Sequence, residues 1–191
     1  MKTQRFNSLG STVKIVLMAA FFLVASCKEK QDQADESTVK APDIDIHTAV
    51  ATGNEAALRQ HIKAGSDLNE RDPFGGSSPL ISASVFGQPK MSRILLDAGV
   101  DIDFQNNEGS TALHTAAFFC RPEIVEMLLE SGADKSIRNK YNATAFEMVA
   151  GPFNDVKNAY DMMGQMLGPM GLKLDYAYIE KTRPEIAAVL K

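Results

Sequence analysis

The sequence is poor in cysteine and histidine and has no long block of charge of one sign. Only Cys27 and Cys120 occur among its 191 residues, so a disulfide framework cannot hold the fold together. It has 24 acidic and 20 basic residues without a long run of like charges, which argues against nucleic acid as a partner. An apolar content of 45% excludes a disordered chain and fits one globular domain with some additional length.

The first 26 residues have the layout of a secretory signal peptide. Three basic residues precede an uninterrupted apolar run from Ile15 to Val24. This run has 10 residues, and a helix that crosses a bilayer needs roughly 20, so we expect no permanent transmembrane anchor. The tetrapeptide Val24-Ala25-Ser26-Cys27 resembles the lipobox of bacterial lipoproteins, in which the cysteine thiol receives a diacylglyceryl group before cleavage. We predict a signal peptide over 1–26 and a lipidated Cys27; an ordinary secretory signal is the alternative.

The segment that follows, up to residue 41, is predicted to be a flexible tether. Residues 28–41 carry alternating charges, no aromatic residue and a single valine, so they cannot bury enough apolar surface to become ordered. Such a segment spans roughly 20 Å on average, enough to hold a domain clear of the lipid headgroups. Lys28 is not the aspartate that resembles an inner-membrane retention signal. We therefore expect attachment to the outer membrane of a bacterial cell envelope, on the periplasmic or the surface side.

From residue 42 onward the sequence repeats itself. Four similar short segments have anchor residues that lie 34, 33 and 33 positions apart. The anchors are Ile46, Leu80, Leu113 and Phe146. An aspartate recurs 21 residues after each of the first three anchors. The period, together with the segment Thr111-Ala112-Leu113-His114-Thr115-Ala116, resembles the ankyrin repeat.

The resemblance implies an all-α fold over residues 42–191. We expect an ankyrin-repeat solenoid of about four stacked helix-turn-helix repeats with hairpin fingers, because one unit is too small to fold alone and stacking buries its core. The repeats occupy about residues 42–71, 72–105, 106–138 and 139–191.

Proline and glycine mark the second helix of each repeat. Prolines stand where this helix should begin, because the N–H that proline lacks would be unpaired there anyway. They are Pro89, Pro122 and Pro184. Glycines stand just past its end, where a left-handed conformation is expected. They are Gly65, Gly99 and Gly132. At the junction between the two helices of a repeat, Cys120 replaces the glycine that Gly53 and Gly87 supply.

The fourth repeat is interrupted between its two helices. The distance from anchor to proline is 9 residues in the third repeat and 38 in the fourth, which indicates an insertion at about 153–182. The insertion has apolar residues at helical spacing and four clustered methionines. These are Met162, Met163, Met166 and Met170. Two roles stay open: a cap over the core of the last repeat, or a binding element, since methionine adapts to irregular apolar ligands.

Histidine and cysteine offer no catalytic or metal site. The resemblance implies a structural hydrogen bond from His47 and from His114 to a finger, and two repeats separate them, which is too far to share a metal. We expect His61 on an exposed outer face and Cys120 as a packing residue. No phosphate-cradling glycine loop, nucleophile elbow or paired metal motif occurs. We therefore expect neither an enzyme nor a cofactor nor a metal.

The resemblance implies recognition of a protein through a concave surface, built from the finger tips and the exposed ends of the first helices. Aromatic residues and arginine are frequent at these positions, as they are at interface hot spots. The positions are Phe74, Val85, Phe86, Gln105, Asn107, Glu108, Phe118, Phe119, Arg138, Lys140 and Tyr141. For Phe86, Phe118 and Phe119, a place in the core between the stacked helices is the alternative.

These observations predict a monomeric, lipid-anchored, extracytoplasmic module that binds a protein partner through its concave aromatic surface. The membrane is expected to be reached through the N-terminal lipid. Two alternatives stay open. The domain could be a receptor for a small apolar ligand that uses the methionine-rich insertion, or a regulator or inhibitor of a neighbouring enzyme of the cell envelope.

Overall fold

The structure, a computed structural model, describes residues 39–191. Within this range the chain forms helices and turns and no strand. None of the described helices is both long and apolar enough to cross a membrane. The predicted signal peptide, Cys27 and the tether up to residue 38 lie outside the described residues.

Three consecutive helix pairs form the first part of the domain. In each pair the two helices pack against each other, and the first helices of successive pairs pack side by side. The pairs are α1 (Ile46–Ala51) with α2 (Glu55–Lys63), α3 (Pro79–Phe86) with α4 (Pro89–Asp97), and α5 (Ala112–Phe118) with α6 (Pro122–Glu130). The predicted all-α stack of helix pairs is confirmed.

Local sequence explains where these helices begin. The side chains of Asp45, Ser78 and Thr111 each accept a hydrogen bond from the backbone N–H three residues on, which caps α1, α3 and α5. Helices α4 and α6 begin at Pro89 and Pro122, as the sequence predicts.

Left-handed backbone marks the helix junctions and ends. Gly53 and Gly87 have φ of 69° and 64°, and Cys120 adopts a φ of 54° at the equivalent junction. The glycines after the second helices have φ between 71° and 90°, as predicted, and they are Gly65, Gly99 and Gly132. The repeat register is therefore visible in the backbone as well as in the sequence.

Polar side chains before α4 and α6 tie each pair to the preceding one. Gln88 donates from Nε2 to the carbonyl of Ala51 at 3.1 Å, and Arg121 donates from Nη2 to the carbonyl of Val85 at 3.2 Å. These bonds occupy carbonyl groups at the ends of α1 and α3, which have no partner within their own helix.

The fourth pair differs from the predicted one. Its elements are α7 (Glu147–Ala150), α8 (Phe153–Leu167), a 3₁₀ turn (Gly168–Met170) and α9 (Tyr176–Leu190). The prediction that its second helix begins at Pro184 is wrong, because α9 begins at Tyr176, where Asp175 caps it by accepting from the N–H of Tyr178. Pro184 lies inside the helix. The helix buries Ile179 and Ile186, before and after Pro184 in sequence, and this burial offsets the hydrogen bond that proline cannot donate.

The inserted helix α8 covers the end of α5. The fully buried ring of Tyr160 stacks on Phe118, with centroids 4.4 Å apart and planes 14° apart. Buried Arg183 of α9 donates to the Tyr160 hydroxyl at 3.0 Å and to the carbonyls of Met148 and Gly151 at 3.1 and 3.2 Å. The inner face of α8 thus covers the C-terminal end of α5.

Candidate protein-binding surface

Three finger loops connect the helix pairs, and the same arrangement closes each of them. The loops run over residues 72–77, 106–110 and 139–143, and the backbone N–H of the first residue donates to the carbonyl of the last at 2.9 to 3.1 Å. The first side chain of each loop also accepts hydrogen bonds from backbone N–H groups inside the loop. These side chains belong to Asp72, Asn106 and Asn139. The first finger is one residue longer, which accounts for the repeat spacing of 34.

Neighbouring fingers are joined through their backbones. The N–H of Asn107 donates to the carbonyl of Gly75 at 2.9 Å, and the N–H of Lys140 donates to the carbonyl of Glu108 at 2.9 Å. Gly76 has a φ of 65°, and a Cβ there would push against the Asn107 side chain, so glycine is favoured at this contact. The three fingers therefore form one continuous row.

The carboxylate of Asp72 organises the first finger. Desolvation alone would raise the pKa of Asp72, but hydrogen bonds from the backbone N–H groups of Gly75, Phe74 and Ser77 outweigh it and lower the pKa below 3.8. Those bonds measure 2.8, 2.8 and 2.6 Å. The charged carboxylate consequently fixes the loop that presents Phe74 to solvent.

The finger tips carry large side chains at equivalent positions. Phe74 is 83% exposed and Tyr141 is 74% exposed, and Glu108 occupies the tip between them. The Tyr141 hydroxyl donates to the Glu108 carboxylate at 2.9 Å, and this hydrogen bond raises the pKa of Tyr141. Together with their exposed neighbours these residues form the fingertip surface, defined as Phe74, Gln105, Asn107, Glu108, Lys140 and Tyr141.

Two arginines stand at the base of the fingers. Arg138 is exposed, as predicted, but its guanidinium is engaged by the Glu147 carboxylate at 2.7 and 3.0 Å, which lowers the pKa of Glu147. Arg71 escaped the sequence prediction. It donates to the carbonyls of Gly76 and Gln105 at 3.1 Å each. The repeat register could have found it, because positions 71, 105 and 138 are equivalent and the other two were selected.

The ends of the first helices are less open than the sequence predicted. Phe119 is only 5% exposed, so the prediction that it contacts a partner is wrong, and its place in the core is the alternative that holds. Phe119 packs edge-on against Phe118, with centroids 5.1 Å apart, and Phe118 is half-buried because Tyr160 stacks on it. Val85 and Phe86 are half-buried as well. The fingertips therefore offer most of the open side chains in the predicted set.

The three histidines have structural partners. His47 bonds to the carbonyl of Glu70 at 3.1 Å and His114 to the carbonyl of Ala143 at 3.0 Å, as the resemblance implies. The expectation of an exposed His61 is wrong. His61 is buried, because the segment before α1 lies over it and the carbonyl of Ile44 bonds to its Nε2 at 2.9 Å. Within residues 39–191, no three histidine, cysteine, aspartate or glutamate side chains come together to hold a metal ion.

Cys120 is a buried packing residue. Its thiol lies within 3.7 Å of the carbonyl of Ile179, and burial raises the pKa of Cys120 to about 11. A thiol with such a pKa stays protonated near neutral pH and is a poor nucleophile.

A cavity of about 520 Å³ opens beside α7 and α9 at the end of the stack. Its apolar wall comes mainly from Phe146, Val149, Phe153 and Ala187, and Glu180 and Lys191 also line it. None of the four methionines of the insertion lines it. The alternative of a small-ligand receptor requires the ligand to contact the methionine cluster. A small apolar ligand in this cavity would not contact that cluster.

Comparison with known families settles the nature of the repeat. A model of ankyrin repeats in three copies matches residues 46–139, the range that holds α1 to α6 and the first two fingers. The chain is an ankyrin-repeat protein. The matched range covers nearly all of the first three repeats, whereas the inserted helix α8 lies after it.

Individual relatives match shorter stretches of the ankyrin repeats. Protein phosphatase 1 regulatory subunit 27, from human and from mouse, is 36% identical over 64 residues, which is 34% of this chain and 41% of that protein. The human DNA-binding protein RFXANK is 36% identical over 58 residues, or 30% of this chain and 22% of that protein. The chain thus matches less than half the length of these relatives. Their names are those of regulatory and binding proteins.

A solved structure shares the ankyrin-repeat fold. The ankyrin repeat domain of Bcl-3 is similar with a TM-score of 0.52 and 33% sequence identity. The match covers 54% of this chain and 45% of that one. Its title describes a member of the IkappaB protein family.

Proposed function

We propose that this ankyrin-repeat protein is a lipid-anchored, extracytoplasmic module that binds a protein partner through its fingertip surface. The observation that carries the proposal is the pair of exposed aromatic side chains, Phe74 and Tyr141, at the two outer ends of the finger row. Water-exposed aromatic rings are costly to display, and they are enriched where proteins contact each other.

The chemistry of the fingertip surface favours a protein over other partners. Between the two rings lie the amides of Gln105 and Asn107, the carboxylate of Glu108 and the ammonium of Lys140. This mixture of aromatic, amide and oppositely charged groups matches the polar rim and apolar anchors of protein interfaces. A nucleic acid would require a surface of one positive sign, which the fingertips do not have.

The anchor in this proposal rests on the N-terminal sequence. The short apolar run that ends at Val24-Ala25-Ser26-Cys27 supports export and lipidation, and the charged tether gives the domain reach from the membrane. Because the lipid would hold the domain close to the envelope, partners at the same membrane would be met at raised effective concentration.

Capture from intact cells tests the binding role. The tagged chain is crosslinked in living cells, purified, and its partners identified and quantified by mass spectrometry. The double variant Phe74→Ser and Tyr141→Ser should lower partner recovery by at least about tenfold, which corresponds to about 1.4 kcal/mol. The variant Lys63→Ser, an exposed change away from the fingers, is the matched control and should leave recovery unchanged. Equal recovery from both variants would contradict a fingertip interface.

Labelling with palmitate tests the anchor. The variant Cys27→Ala should lose all incorporation, because only the thiol can form the thioether to the lipid. The variant Cys120→Ala, which removes the other thiol, should incorporate palmitate like the wild type. Unchanged labelling of Cys27→Ala would contradict lipidation at this residue.

An enzyme of the cell envelope is the second kind of partner we propose, with the ankyrin repeats as its regulator. The relative from human and mouse is named as a regulatory subunit, which supports this class of partner. If the captured protein is an enzyme, adding the purified chain should change its rate, and Phe74→Ser with Tyr141→Ser should remove the change.

A further inference from the structure

The insertion presents several exposed methionines. Met162, Met166 and Met170 follow one another at intervals of four residues along α8 and the 3₁₀ turn that extends it. They are 54%, 57% and 50% exposed, and half-buried Met163 adjoins them. Residues four apart on an α-helix lie on the same face, with Cβ atoms about 5–6 Å apart, so Met162 and Met166 share one face of α8 and Met170 follows in the 3₁₀ turn.

The packed face and the exposed face of α8 carry different kinds of apolar residue. The apolar side chains that α8 packs against the core of the domain are not methionine; they are Phe153, Val156 and Tyr160. The large apolar side chains that α8 and the turn leave half or more exposed are all methionine. A patch that is merely apolar does not require methionine at every position, so the sulfur atoms themselves are the feature to explain.

The segment between the methionines contains no charge. Residues 162–170 read Met-Met-Gly-Gln-Met-Leu-Gly-Pro-Met, so neither a carboxylate nor an ammonium competes for a ligand there. The nearest charged residue in sequence, Asp161, is already paired with Lys157 at 3.0 Å and accepts from the Tyr176 hydroxyl at 2.8 Å. Several thioether sulfurs on flexible side chains are therefore the ligating atoms that this face offers.

We propose that Met162, Met166 and Met170 bind one Cu(I) ion, with Met163 as an additional ligand within reach. Thioether sulfur is a soft, neutral ligand, and soft ligands select Cu(I) over the harder divalent ions. Methionine has three rotatable side-chain bonds, so sulfurs that start from α8 and from the turn that follows it can converge on one ion. Binding adds the ion to the thioethers without releasing a proton or changing the oxidation state.

The histidines and the cysteine in the described part of the chain are hydrogen-bonded or buried. Both ring nitrogens of His47, His61 and His114 have hydrogen-bond partners. The thiol of Cys120 is buried at the junction between α5 and α6. We therefore predict that Cu(I) binding depends on the thioethers of the methionines and not on groups that gain or lose protons.

Competition against a coloured Cu(I) chelator tests the site. The full chain carries Cys27→Ser and Cys120→Gly, so that no thiol contributes, and is titrated with Cu(I) in detergent without oxygen. We expect it to withdraw one Cu(I) per chain from the chelator. Changing Met162, Met166 and Met170 together to leucine, which keeps the apolar surface, should weaken binding at least about tenfold. Met127→Leu, which removes a buried thioether of α6, is the matched control and should leave binding unchanged.

Two further readouts identify the ligands. The methyl resonances of Met162, Met166 and Met170 should shift when Cu(I) is added, whereas those of buried Met91 and Met127 should not. Affinity should be the same at pH 5.5 and pH 7.5, about one pH unit on either side of the usual histidine pKa, because thioethers do not take up protons in this range. The proposal is overturned if no Cu(I) is withdrawn, if the leucine variant binds as well as the parent, or if binding disappears at the lower pH.

Discussion

The hydroxyl of Tyr160 donates a hydrogen bond to the carbonyl oxygen of Phe118, the last residue of α5, and the two aromatic rings stack on each other. The same hydroxyl accepts from Arg183 of α9. Burial raises the pKa of Tyr160 to about 12, so the hydroxyl keeps its proton at physiological pH. One residue of the inserted helix therefore joins the third ankyrin repeat to the helix that completes the fourth.

Removing this hydroxyl should destabilise the domain. The variant Tyr160→Phe keeps the ring stack but leaves the Phe118 carbonyl and one Arg183 N–H without a partner in a buried site. We expect the free energy of unfolding in urea to fall by about 1–3 kcal/mol. Tyr178→Phe, which removes an exposed hydroxyl from α9, is the control and should change it by less than about 0.5 kcal/mol. A loss in Tyr160→Phe no larger than in the control would show that α8 does not stabilise the stack through this residue.

From the left-handed backbone at Cys120 we predict how two substitutions change the free energy of unfolding. At a φ of 54°, Cys120→Gly relieves backbone strain while it removes a small buried side chain, so the unfolding free energy should stay within about 1 kcal/mol of the wild type. Cys120→Val introduces a β-branched side chain that this conformation disfavours and should cost at least about 2 kcal/mol. The two variants are compared by urea denaturation. Equal stability would mean that the junction can abandon its left-handed conformation.

The pH dependence of stability should report the burial of His114. Burial lowers the pKa of His114 below 6.5, although the hydrogen bond to the carbonyl of Ala143 opposes the shift. The unfolded chain then binds a proton at a higher pH than the folded chain does. Stability from this residue is therefore lost as the pH falls below about 6.5, and the loss ends once the pH is below the folded-state pKa.

The test compares unfolding free energies between about pH 7.5 and pH 5. His114→Gln removes the titrating group, so its unfolding free energy should change less over this range than that of the wild type. The comparison of slopes is independent of any constant loss of stability that the substitution causes. Identical slopes in the two proteins would contradict the effect of burial on His114.

Much of the fold could be predicted because each repeat imposes the same local chemistry. The caps at Ser78 and Thr111, the prolines that begin α4 and α6, and the left-handed Cys120 all follow from the repeat register. The beginning of α9 could not be predicted in this way. Its first turns depend on Asp175 as a cap and on packing against α5 to α8, and neither has an equivalent in the earlier repeats.

The candidate surface also contains some residues whose positions follow from the repeat register and others whose exposure does not. Finger positions such as Phe74 and Tyr141 could be assigned from register alone, because loop hydrogen bonds within each repeat fix where they lie. Exposure at Phe119 and His61 depends on segments distant in sequence. The insertion packs on Phe118, beside Phe119, and the residues before α1 lie over His61. The 33-residue period of the sequence carries no information about such contacts between a repeat and segments outside the repeats.

Site-specific photo-crosslinking in living cells tests the proposed binding role most directly. A photo-reactive amino acid is placed singly at Phe74 or Lys140 on the fingertip surface, or at Lys63 or Glu126, exposed positions of α2 and α6. We predict that Phe74 and Lys140 give an adduct with one shared protein and that Lys63 and Glu126 do not. The same adduct from all four positions, or from Lys63 and Glu126 alone, would contradict recognition through the fingers.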